Sequence, residues 1–169
     1  MRAVSARRLN RKTGFSLIEL LIVVAIILVI AAIAIPNLLK TKMRANETSA
    51  VASLRVIVTS QALYQTTWGR GFAPDMTSLG PPPGGGNPTA SAADLIDSVL
   101  ASQIKSGYSF VYSAVDMDSD GQIDAYTVNA YPVSPGQTGE KYFYVDQKGV
   151  VRYALDGPAS ATSEPVGSR

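Results

Sequence analysis

The run FSLIELLIVVAIILVIAAIAI, residues 15 to 35, restricts most strongly what this chain can fold into. Only Ser16 and Glu19 in it are polar. As an α-helix rising 1.5 Å per residue it spans about 30 Å, the thickness of a bilayer's hydrocarbon core. A helix apolar on every side has no solvent face, so lipid or like helices must cover it. Arg2, Arg7, Arg8, Arg11 and Lys12 precede it. These cations favour the cytoplasmic side, which places everything after Lys40 beyond the inner membrane. A plain single-pass anchor satisfies these facts. A secretory signal peptide cut after Ala32-Ile33-Ala34 is the other ordinary reading, weakened by Pro36 close behind the cut and by Glu19 within the apolar core.

Glu19 separates these readings from a third. A carboxylate within a membrane helix costs on the order of 2.5–3.5 kcal/mol on insertion scales, which marks it as a functional candidate in need of a partner. The run holds no Lys, Arg or His. A cut between Gly14 and Phe15 would create the missing cation, an α-amino group with a pKa of about 7.7–8 that is mostly charged at neutral pH. A neighbouring copy's Glu19 could then pair with it, and an unpaired carboxylate in such a bundle would be penalised.

The segment KTGFSLIELLIVVAIILVIAAIAIPNLL resembles the N-terminus of the type IV pilins and the type II secretion pseudopilins. The basic leader, the G-F-[ST]-L-I-E-L pattern, the apolar run and the proline all occur in register over about the first quarter of the chain. The resemblance implies that a prepilin peptidase cuts after Gly14 and N-methylates Phe15. It implies that Glu19 pairs with the terminal amine of an adjacent subunit, and that Pro36 is the family's helix-kinking proline. It also implies a helix that loosens downstream of this proline when filaments stretch.

Composition narrows the rest. The 169 residues include no Cys and no His. That excludes disulfide staples, thiol chemistry and any Ser-His or Cys-His nucleophile pair. A Ser-Lys dyad or a carboxylate pair stays formally open, but no motif points to one, and an enzyme is not expected. The formal charge is +2, yet removal of residues 1–14 takes away five of the 15 basic residues and none of the 13 acidic ones, leaving −3. The basicity belongs to the leader, and nucleic acid binding is not indicated.

Residues 37–66 hold no Gly or Pro. Val51, Leu54 and Val58, with Ala50 and Ile57 alongside, form an apolar helical face. Lys40, Lys42, Arg44, Glu47 and Arg55 take solvent positions or contact phosphates near a membrane surface. One helix of about 50 residues, roughly 75 Å long, is predicted to end at Trp68-Gly-Arg-Gly-Phe72. Pro36 removes one of its hydrogen bonds. PPPGGGNP, residues 81–88, reads as a loop. Residues 91–104 read as a short helix capped by Ser91. Residues 108–115, 122–131 and 141–155 read as strands, the last split into a hairpin at residues 146–149. The fold class is thus α+β and pilin-like, with a long N-terminal helix, its first half transmembrane, packed on a roughly four-stranded antiparallel sheet. The expected organisation is a leader at 1–14, a membrane and filament-core helix at 15–39, a globular domain at 40–156, and a mobile tail at 157–169.

A second constellation is DMDSDGQID, with Asp116, Asp118, Asp120, Gly121 and Asp124. Its spacing matches positions 1, 3, 5, 6 and 9 of a Ca²⁺ loop, and the Gln122 carbonyl would be the position-7 ligand. Position 12 is Thr127, so the usual bidentate acid is missing. An acidic turn between two strands explains the same residues. No cofactor is required, and a structural Ca²⁺ stays open beside the turn.

The expected product is a structural subunit of a pilus-like filament. It is stored in the bacterial inner membrane with its N-terminus cytoplasmic, and is then drawn into a periplasmic or cell-surface fibre. Its implied partners are other copies, related pilins, the prepilin peptidase and an inner-membrane assembly platform. Glu19 argues against the tip subunit that lacks this acid. The absence of Cys departs from pilins with a C-terminal disulfide loop and leaves room for a type II secretion pseudopilin. A minor Ca²⁺-binding or adhesive subunit is the remaining alternative.

Overall fold

The computed structural model describes residues 14–167, so the basic leader expected at 1–14 lies outside the described residues except for Gly14. The described chain falls into two compact units, divided between Leu38 and Leu39.

Helix α1 runs Leu17–Trp68. Ser16 and Glu19 fit the S-x-x-E signature of a helix start, and the ladder begins with the Leu20 N–H donating to the Ser16 carbonyl at 3.3 Å. Pro36 lies inside the helix without ending it. At the far end Gly69 takes the left-handed conformation, φ 62°, and its N–H donates to the Gln65 carbonyl at 3.0 Å. Glycine adopts that conformation without a Cβ penalty, which makes it the common helix stop.

In the first unit, the large apolar side chains from Phe15 to Leu38 are exposed all round. The stretch is long and apolar enough to cross a membrane.

In the second unit, α1 buries Met43, Ala50, Ser53, Leu54, Ile57, Ser60, Gln61 and Tyr64. These recur at three- and four-residue intervals, one face of a 3.6-residue helix. The stripe differs from the expected one, because Val51 and Val58 are only half-buried. Polar side chains take central places where they find partners: the Ser60 hydroxyl donates to the Leu95 carbonyl at 2.9 Å, and Gln61 is fully enclosed.

The sheet has six strands, all antiparallel, each beside its sequence neighbour: β1 Ile104–Lys105, β2 Tyr108–Val115, β3 Ala125–Pro132, β4 Tyr142–Asp146, β5 Arg152–Ala154 and β6 Glu164–Pro165. The four expected strands are β2 to β5. The two additional ones are two-residue edge pairs, too short to show alternation. β1 joins β2 through Ser106 and Gly107, both at positive φ, 49° and 73°, as a two-residue hairpin turn requires.

Register fixes the inner face. Phe110 lies opposite Ala130, which lies opposite Phe143, and Tyr112 lies opposite Val128, which lies opposite Val145. These residues join Leu54, Ile57 and Tyr64 of α1 in one core. Each fully buried Leu or Ile there contributes about 1.5–3 kcal/mol. Tyr112 stacks on Tyr126 with centroids 5.8 Å apart, and Phe72 meets Tyr126 edge-on at 4.9 Å.

One expectation needs correction. The helix expected over 91–104 shrinks to α3, Ser98–Ala101, capped by Asp97, whose carboxylate accepts from the Leu100 N–H at 2.9 Å. The N–H groups of Ala93, Asp94 and Leu95 donate instead to the carbonyls of Ser78, Gly80 and Leu79, beside the unforeseen helix α2, Met76–Leu79. Beyond the globular domain expected at 40–156, the chain carries β6. The Val166 N–H bonds the Val151 carbonyl at 2.8 Å, the Arg152 guanidinium donates to the Ser163 carbonyl at 2.7 Å, and Ala159 is buried.

Candidate assembly site

Gly14 precedes α1, and a Cβ built on it would meet nothing within 4 Å. Phe15 follows, 87% exposed. Glu19 is the third residue of α1, where its Oε2 accepts the Ser16 N–H at 3.1 Å. This is half of a capping box, the N3 carboxylate returning to the residue that opens the helix. A negative charge in the first turn also complements the positive end of the helix dipole. The carboxylate is exposed and has further acceptor capacity. Phe15 and Glu19 thus share one helix start, with an acid that bonds locally, to the Ser16 N–H. Pro36 supplies no N–H, so the Ala32 carbonyl loses its ladder donor, the local condition for bending.

The acidic loop lies between β2 and β3. Carboxylate oxygens of Asp116, Asp118 and Asp120 lie within 4.8 Å of one another, all exposed. They already serve the turn. Asp116 accepts from the N–H groups of Ser119 and Gly121, at 2.7 and 3.0 Å. Asp118 accepts from the Asp120 N–H, and Asp120 from both the backbone and the side-chain amide of Gln122. Asp124 stands apart from the trio and accepts from the Met117 N–H at 2.7 Å. Ser119 and Gly121 adopt positive φ, 62° and 84°. The loop closes against the end of α1, where the Phe72 N–H donates to the Ile123 carbonyl at 2.9 Å.

Sequence reading missed two polar arrangements in the second unit. Gln61 accepts the Ala73 N–H at 2.8 Å and donates to the Tyr112 hydroxyl at 2.9 Å, which in turn donates to the Ala73 carbonyl at 2.5 Å. This closed ring ties α1 to β2 and to the segment after the helix. Near the start of the unit, Glu47 accepts the N–H groups of Glu140 and Lys141 at 3.1 and 3.3 Å and pairs with the Lys141 ammonium at 3.5 Å. No local pattern announces partners more than 90 residues apart.

The family model described as the prokaryotic N-terminal methylation motif matches residues 9–35. The chain is 56% identical over 52 residues, 31% of its length, to the type IV wide pilus major component PilA4 of Thermus thermophilus. It is 42% identical over 73 residues, 38% of its length, to the type IV major pilin protein PilA of Myxococcus xanthus. The matches span 40% and 33% of those relatives' lengths. No solved structure matches the chain.

Proposed function

We infer that this chain is a type IV pilin, a structural subunit of a pilus filament. One observation carries the reading: the apolar residues of an N-terminal helix are uncovered all round, and a single carboxylate lies four residues after Phe15. Such a helix needs lipid before assembly and other helices after it. The matched motif at residues 9–35 and the two pilus components support the choice of family. They favour a pilus over a secretion pseudopilus, because both relatives are named as pilus components.

In this reading a prepilin peptidase cuts after Gly14 and methylates the new Phe15 amine. Glu19 then exchanges its capping bond for the amine of an adjacent copy. The subunit waits in the inner membrane, N-terminus cytoplasmic, until an assembly platform draws it into the fibre. The acidic loop serves as a self-bonded turn, with no cofactor required. The role is architectural and not catalytic.

The N-terminal residue and intact mass of the native envelope protein test this. A chain beginning at methylated Phe15, recovered in sheared fibres, is the expected result. A chain beginning at Ile35 or an uncut Met1 would overturn the reading, and retention in the envelope with loss of exported enzymes on deletion would move it to the secretion apparatus.

A further inference from the structure

The second unit carries opposite charges at the two ends of its helix. Lys40, Arg44 and Lys141 line one recess with Met43, Glu47 and Glu140. Lys141 is placed there by Glu47 and lies 5.4 Å from the centre of the Tyr153 ring. Glu47 is already engaged, since two backbone N–H groups and Lys141 use its oxygens. Lys40, Lys42 and Arg44 make no salt bridge among the described residues, where the recorded pairs are Lys105–Asp97 and Lys141–Glu47. The recess therefore holds two unpaired cations, against one free carboxylate, Glu140.

At the opposite end, where α1 stops, Asp120 and Asp124 line a recess with Gln65, Gly69 and Gly71, and the carboxylate oxygens of Asp116 and Asp118 lie within 4.8 Å of that of Asp120. None of them pairs with a cation among the described residues, although Arg70 stands between the lining glycines Gly69 and Gly71. From Arg44 to Trp68 the helix rises about 36 Å. The two ends of one copy therefore cannot neutralise each other, because that distance is several Debye lengths at physiological salt.

We propose that the recess formed by Lys40, Arg44 and Lys141 receives the acidic loop of a second copy of this chain. The inference rests on the filament reading and adds a contact outside the apolar helix. The two surfaces differ and sit at opposite ends of one unit, so the contact is head-to-tail. A contact of this kind that does not close into a ring propagates as an open helical array. Its charges select register and orientation, while apolar helix packing holds the copies together. Copies approaching in the wrong direction would set cations against cations.

A charge-reversal cycle in the full chain tests the contact. Lys40→Glu with Arg44→Glu should lower the yield of sheared filaments about tenfold, as should Asp118→Lys with Asp120→Lys. The four changes together should restore most of the yield. A cooperative melt of each variant's globular unit, lowered only slightly where the loop's own turn bonds are lost, confirms that the unit still folds. Either single reversal assembling normally overturns the proposal, as does failure of the combined variant to recover. If only the basic reversal weakens binding to vesicles containing phosphatidylglycerol, without rescue, the recess serves lipid phosphate and the proposal is overturned. If the unaltered chain forms no fibres, the pilin reading fails instead. The same cycle, read as low-salt self-association of the detergent-solubilised chain, then decides the contact by itself.

Discussion

At the scale of single residues, Glu19 carries a local hydrogen bond and a charge that substitution can separate. Alanine removes both the local bond to the Ser16 N–H and the charge. Glutamine keeps an acceptor for the capping bond but carries no charge. If the charge pairs with a neighbour's amine, Glu19→Ala and Glu19→Gln should both be cleaved normally and both lose at least about tenfold in sheared fibres, since a buried carboxylate–ammonium pair is worth more than a kilocalorie to break. Normal fibres from the glutamine variant would reduce Glu19 to a helix cap. Gly139 presents a different constraint. A Cβ there would overlap the Tyr108 ring, which is buried and anchored by its hydroxyl donating to the Lys141 carbonyl at 2.8 Å. Gly139→Ala should therefore destabilise the globular unit by about 1–3 kcal/mol in denaturant melts. Glu19 was legible because an acid in an apolar run is costly wherever it stands. Gly139 was not, because its neighbour is 31 positions away and the strand register brings them together.

At the scale of elements, long periodic segments were readable and short ones were not. The end of α1 at Trp68 follows from Gly69, and β2 through β5 follow from their β-branched and aromatic content. The short helix was misplaced because SAADLIDSVL has helical spacing, while the backbone of residues 93–95 finds better partners at 78–80. Asp97 was the readable clue, an N-cap candidate one residue before Ser98. The ring of Gln61, Tyr112 and Ala73 shows what periodicity cannot reveal, a polar residue at the middle of a buried face. Gln61→Leu keeps volume but leaves the Ala73 N–H without its acceptor, and should cost about 1–3 kcal/mol in thermal or urea unfolding. The acidic loop makes the complementary case. Its spacing was plain, but spacing alone does not separate a metal loop from a turn. With its carboxylates already accepting backbone N–H groups, Asp118→Ala with Asp120→Ala should lower stability by about 0.5–1.5 kcal/mol equally in Ca²⁺ and in chelator. A loss seen only with Ca²⁺ would assign the ion.

At the scale of the whole molecule, the globular unit is held by burying tyrosines against α1, and this makes its stability depend on pH from the alkaline side. Burial pushes the Tyr126 hydroxyl up to about 12, with the nearby Asp146 charge adding to the effect. Burial likewise raises Tyr108 and Tyr112, Tyr108 further through Glu47, while Gln61 partly offsets the effect at Tyr112. In each case the neutral phenol is favoured in the folded state, so the folded pKa exceeds the unfolded value near 10. Between those values the unfolded chain has released its proton and the folded chain has not, so stability falls as pH rises. The contribution is whole below about pH 10 and declines as pH passes through the folded values. Thermal melts should therefore change little from these groups between pH 7 and 9, then fall steeply above about 10. The tyrosinate absorbance contributed by Tyr108, Tyr112 and Tyr126 should lag behind that of a free phenol until the unit unfolds, then rise together. Tyr126→Phe removes one such group and should flatten the alkaline slope while leaving the neutral-pH melt nearly unchanged, because its hydroxyl makes no hydrogen bond among the described residues. Gradual titration of Tyr108, Tyr112 and Tyr126 near pH 10, without loss of the melt, would mean that the α1–sheet core admits charge, and with it water, more readily than its packing requires.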